Sequence, residues 1–161
     1  MKSEPQKQHQ WLTRMLGAWT FESEASMGPG KPREKFQGSE HIRSLGGLWI
    51  VADGQGDMPG GGTAQMMLTL GYDPRRERFV GTWVGSMMPH MWVYEGSLDA
   101  GGSILTLDTE GPSFTDGAGG MAKFQDIIEL RSEDHRILTS RTLGEDGTWQ
   151  TFMTAHYRRK S

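Results

Sequence analysis

The chain has 161 residues, a formal net charge of -3 and no cysteine. That length suits one domain with a sizeable core, and the charge gives no electrostatic case for nucleic acid. Without cysteine there are no disulfides, no thiolate metal sites and no Cys nucleophile, which fits a reducing, cytoplasmic setting.

Residues 1–10 are polar and lack the apolar stretch of a signal peptide. No apolar run is long enough to span a bilayer, so no membrane contact is expected. Residues 4–16 read as the only helix. Trp11, Leu12, Met15 and Leu16 fall on one face, Pro5 suits a first turn and Gly17 suits the stop.

After Gly17 the period changes to two. Trp19, Phe21, Ser23 and Ala25 alternate with Thr20, Glu22 and Glu24, which predicts a strand with a polar outer face. Further strands are expected over 36–44, 48–54, 64–72, 78–85, 90–98, 104–109, 124–131, 137–143 and 148–158. Turns punctuate them, among them Asp73-Pro74-Arg75-Arg76 and Asp99-Ala100-Gly101-Gly102. The Gly-rich runs 54–62 and 111–120 read as loops at an open mouth and as the most mobile parts of the chain. No stretch is long and periodic enough to be a crossover helix, which argues against a parallel sheet. The expectation is all-β: a roughly ten-stranded antiparallel up-and-down barrel with one short N-terminal helix. Residues 1–161 form a single domain, with the helix at about 4–16 and the barrel at about 18–159.

Gly-x-Trp occurs four times, ending at Trp19, Trp49, Trp83 and Trp149. Gly permits a tight bend in a curved sheet, and Trp is expected to fill its concave side.

The segment Gly71-Tyr72-Asp73-Pro74, followed by Phe79-Val80-Gly81-Thr82-Trp83-Val84-Gly85-Ser86-Met87, resembles the central motif of domain-of-unknown-function family 1579. Leu16-Gly17-Ala18-Trp19 and Tyr157-Arg158-Arg159-Lys160 are similar to the ends of that family. Gly85 stands where the family pattern prefers an acidic residue. The resemblance implies a calycin-like (lipocalin-like) barrel and supplies no activity. It also implies that Trp19 plugs the closed end, with a C-terminal cation, Arg158 or Arg159, laid over its ring.

Strands 78–85 and 90–98 carry the densest aromatic and Met cluster. Trp83, Trp92 and Tyr94, with Met88 and His90 at the rim, are the candidate lining of a small-molecule cavity, against a plain packed core. His41, His90 and His156 lie in or beside strands, but no His-x-His or His-Glu-x-x-His spacing supports zinc or haem, and no metal or cofactor is expected. Glu40, Asp53, Asp108 and Asp126 are expected to face solvent by alternation. Ser86 lacks a nucleophile-elbow context and 60–63 lacks the Lys of a phosphate loop, so no catalytic set emerges.

Three readings follow. The first is a binding module for a small apolar or aromatic molecule. The second is an isomerase or lyase on the same scaffold, using a buried carboxylate or His. The third is a packed barrel without ligand, acting as a homodimer. An internal void separates the third from the others, and a perturbed titratable group within it favours the second.

Overall fold

The computed structural model describes residues 3–28, 30–58, 60–114 and 119–160. Alternating side chains with frequent turn residues produce ten strands: β1 (Gly17–Ala25), β2 (Glu34–Leu45), β3 (Trp49–Asp57), β4 (Thr63–Asp73), β5 (Arg78–Gly85), β6 (Met88–Leu98), β7 (Ile104–Pro112), β8 (Met121–Ser132), β9 (His135–Leu143) and β10 (Trp149–Arg159). Each pairs antiparallel with its neighbour in sequence, and β1 pairs with β10 to close the barrel. Closure leaves no free edge, which is the physical gain of this architecture.

The helix is shorter than expected. Among the described residues only α1 (Lys7–Leu12) is α-helical, and Thr13–Met15 tightens into a 3₁₀ turn before the chain enters β1. Glu4 and Pro5 stay outside it because the backbone turns helical only after Gln6. There the Gln6 amide donates to His9 Nδ1 at 2.9 Å. His9 Nε2 therefore carries the proton and donates to the Tyr72 carbonyl at 3.0 Å, fastening the helix to β4.

The helix closes one end of the barrel. Trp11, Leu12 and Met15 are buried in one core cluster with Trp19, Ile50, Leu70 and Phe79. The Trp11 indole N–H donates to the Gly102 carbonyl at 2.7 Å, tying the helix to the β6–β7 turn.

The two expected Gly-rich loops are shorter than their Gly content suggests. Gly54 and Gly56 lie within β3 and Gly111 within β7, so the connections begin near Met58 and Ser113. Both are at the end opposite α1. Pro59 and residues 115–118 of these loops lie outside the described residues. In β3 and β7 the glycines serve close packing. A Cβ on Gly56 would sit 3.0 Å from the Phe21 ring, and one on Gly111 would sit 2.1 Å from Trp92.

Of the four Gly-x-Trp copies, two place Trp inside. Trp19 is 1% exposed, and Trp83 packs against the core. Trp49 instead lies outside across Gly71, 40% exposed, and Trp149 packs beneath the Arg141 guanidinium. In both of these copies the Gly serves the preceding turn, at φ 76° for Gly47 and 82° for Gly147, so no concave surface follows it.

The β6–β7 seam is paired over only part of its length. The β6–β7 register runs from Glu95 opposite Asp108 to Leu98 opposite Leu105, and no further. Above it both strands continue extended to Met88 and Pro112. Trp92 lies against Gly111 there, and His90 Nε2 donates to the Glu110 carbonyl at 3.1 Å.

Candidate functional site

Inward positions toward the open end do not fill the barrel. They enclose a cavity of about 340 Å³. Its wall is mostly apolar: Trp83, Met88 and Trp92 on one side, Phe124, Phe152 and Met153 on the other. The rings pack edge to face, Trp92 on Phe124 at 4.9 Å and Phe124 on Phe152 at 6.0 Å. The Trp92 indole N–H points at the Met88 sulfur, 3.1 Å away.

The structure brings Trp83, Met88, Trp92 and Tyr94 together on this wall. His90 shares their strand face, yet its ring stacks edge-on to Trp92 at 4.7 Å and its Nε2 is engaged by Glu110, so it stands beside the lining. Trp19 lies deeper, at the closed end. Its indole N–H donates to the Met15 carbonyl at 2.9 Å. Arg159 lies over the ring at 4.3 Å, so Arg159 is the covering cation and Arg158 is not. Arg158 falls on the outward phase of β10 and is exposed. Arg159 is fixed by donation to the carbonyls of Leu16 and Arg14.

Two carboxylates expected in solvent point inward. Glu40 pairs with the buried Arg136, whose guanidinium also lies 3.9 Å over the Tyr157 ring and 4.8 Å from Trp19. Asp126 stands at the cavity. Tyr94 donates to its Oδ2, and Ser140, directly opposite on β9, donates to Oδ1 at 2.5 Å. Asp53 and Asp108 are exposed as expected. The reason is phase. Asp126 shares the inward phase of Phe124, Ile128 and Leu130, and Glu40 that of Phe36 and Ile42.

Burial raises the Asp126 carboxyl above the usual carboxylate range, against the lowering effect of its Ser140 and Tyr94 hydrogen bonds. The Tyr94 phenol is pushed well up, first by burial and then by the neighbouring Asp126 charge. Tyr157 is pushed up too, by burial and then Glu40, with Arg136 opposing. Both phenols thus stay protonated. Thr109 also lines the cavity, and its buried hydroxyl has no partner among the described residues.

Sequence reasoning missed the polar site residues Asp126, Ser140, Thr109 and Tyr157 and the apolar wall of Phe124, Phe152 and Met153. Of the polar four only Asp126 carries a signal, a lone acid in the apolar phase of a strand. Among the described residues no group of three or more His, Cys, Asp or Glu side chains could hold a metal ion. His135 and His156 stack on the outer surface, 3.0 Å apart between ring nitrogens, away from the cavity. No helix among the described residues is long and apolar enough to cross a membrane.

A closed ten-stranded antiparallel barrel, plugged by a helix at one end and hollow toward the other, defines the class. The chain belongs to the family described as protein of unknown function DUF1579, whose model matches residues 4–159. No curated protein sequence matches it. Solved structures share the fold at low identity. Rv2717c from M. tuberculosis is 12% identical, with a TM-score of 0.64 over 98% of this chain and 100% of that one. The S-type phycobiliprotein lyase CPES from Guillardia theta is 16% identical, with a TM-score of 0.60 over 98% and 99%. The barrel EF1p2_mFAP2b, solved bound to DFHBI, is 14% identical, with a TM-score of 0.51 over 96% and 100%.

Proposed function

We propose that this protein binds a small, largely apolar aromatic molecule inside its barrel. The observation that carries the reading is the cavity of about 340 Å³ with its wall of Met and aromatic side chains. Such walls adapt to flat guests, and a cavity of this size lies in the range of small-molecule sites. Trp83, Met88, Trp92 and Tyr94 are the proposed contacts, with His90 beside the rim. EF1p2_mFAP2b, which shares the fold, holds DFHBI, and this supports a barrel of this kind as a small-molecule container.

Tryptophan emission tests the reading. Naphthalene and related apolar aromatics should quench or shift it saturably. Trp83→Ala should weaken binding about tenfold or more while the fold survives, because that ring is only half-buried. If no member of a broad aromatic set changes the emission, the binding reading is to be abandoned.

One observation favours a second reading. Asp126 is a perturbed carboxyl in the cavity, as an isomerase or lyase needs for proton transfer. The two hydrogen bonds it accepts, from Tyr94 and Ser140, weaken it as a base, and binding therefore ranks first. The reading also includes a cytoplasmic location, in keeping with the lack of cysteine. A homodimer would use the outer face of β4–β6, where Met67, Val84, Met91 and Val93 are exposed. Sedimentation as a monomer at micromolar concentration would remove that element.

A further inference from the structure

Four polar groups at the cavity come from consecutive strands, each placed inward by alternation: Tyr94 from β6, Thr109 from β7, Asp126 from β8 and Ser140 from β9. An ionised carboxyl offers about four acceptor positions. Tyr94 fills one on Oδ2 and Ser140 one on Oδ1. No Arg, Lys or His bonds Asp126 among the described residues; Arg136, the nearest buried cation, is engaged by Glu40. Acceptor capacity is therefore left over. Although Asp126 sits deep in the barrel, it keeps some exposed surface, and it lines the cavity. The unpartnered Thr109 hydroxyl lines the same cavity. Most of the remaining lining is apolar.

We infer that the ligand is a neutral aromatic compound carrying one hydrogen-bond donor, an O–H or N–H, which it delivers to Asp126 while its ring lies between Trp83, Met88 and Phe124. This rests on the binding reading above and names its ligand class. A carboxylate facing an apolar guest keeps unmet acceptor capacity and loses water, which is costly. A donor on the guest removes that cost. A cationic guest is disfavoured, because a mainly apolar cavity strips the water from its charge. A guest without a donor is discriminated against by the empty acceptor position, the strongest form of selection an otherwise apolar pocket has.

Three probes of nearly equal shape test this by calorimetric titration: 2-naphthol, 2-methoxynaphthalene and naphthalene. Wild type should bind 2-naphthol about 10- to 100-fold more tightly than either of the others, the range expected for a hydrogen bond to a charged acceptor. In Asp126→Asn, whose amide presents a donor as well as an acceptor, the preference should collapse toward unity. Ser140→Ala loses only a hydroxyl and frees one acceptor position, so the preference should be kept or rise there. That variant tests the assignment even if Asp126→Asn does not fold. Equal binding of all three probes to wild type overturns the inference and leaves the binding reading standing. A preference undiminished in Asp126→Asn, or lost in Ser140→Ala, overturns Asp126 as the acceptor. Failure of all three probes to bind overturns this ligand class, and the binding reading falls with it only if the broad aromatic set fails as well.

Discussion

At the scale of single residues, Trp19 and Asp126 hold opposite positions in the energetics. The Trp19 ring is buried, its N–H is satisfied, and two guanidiniums lie within 5 Å of it, Arg159 at 4.3 Å and Arg136 at 4.8 Å. Cations so placed contribute roughly 0.5–2 kcal/mol. Trp19→Ala should cost about 3–5 kcal/mol in urea unfolding; a variant as stable as wild type would refute the plug. Asp126 is destabilising when charged. Its folded-state pKa lies above the ordinary 3.8, so the folded state holds the proton more tightly than the unfolded chain. The resulting stabilisation is full below that ordinary value and is lost as pH rises through the raised folded value. Between pH 4 and pH 8, wild type should therefore lose stability relative to Asp126→Asn. Urea midpoints that run parallel across this window would contradict the assignment. Trp92 differs from Trp83 in kind. It is buried against Gly111 and Phe124, so its removal damages the core along with any binding, whereas half-buried Trp83 reports on the cavity more cleanly.

At the scale of elements, the seam between β6 and β7 is the most sparsely paired part of the wall. Above Glu95 the ladder gives way, among the described residues, to a side-chain hydrogen bond from His90 to the Glu110 carbonyl and to the Trp92 ring over Gly111. Gly111→Ala would place a Cβ 2.1 Å from that ring. Overpacking of this kind costs about 1–3 kcal/mol. The variant should melt lower and show a changed near-ultraviolet tryptophan spectrum, and an unchanged spectrum would mean the ring does not lie there in solution. The seam also shows what a strand pattern can and cannot tell. In residues 78–98 the aromatic side chains fall on one phase of each strand, so Trp83, Trp92 and Tyr94 could be placed on one inner face from sequence, although Val84, Met91 and Val93 make the outer phase partly apolar. Residues 136–140 read Arg-Ile-Leu-Thr-Ser, with apolar side chains on both phases, so nothing in the pattern announces that Arg136 and Ser140 point inward. Asp126 was legible in phase, but the rule that acids face water outweighed the phase.

For the whole molecule, the barrel was legible because ten alternating segments and their turns leave few other ways to bury one face of each strand. The cavity was not. Whether inward side chains meet in the middle depends on barrel radius and on which opposing residues share a level, and neither is written in a local pattern. The solved structures that resemble it, at 12–16% identity, share the architecture alone.

Closure by β1 against β10 has a consequence in time. Trp19 faces Arg159 across that ladder, so the pairing that seals the barrel joins segments from opposite ends of the sequence. The chain must give up the entropy of a loop spanning nearly its whole length before that ladder returns any stabilisation. The other nine ladders are hairpins between neighbours and can form early. The slow event in folding should then be the docking of the first strand, with its helix, onto the last. All-β topologies with such long-range pairings fold in roughly milliseconds to seconds. Until that event the cavity has no wall on one side, and a guest that binds only the sealed barrel holds it shut.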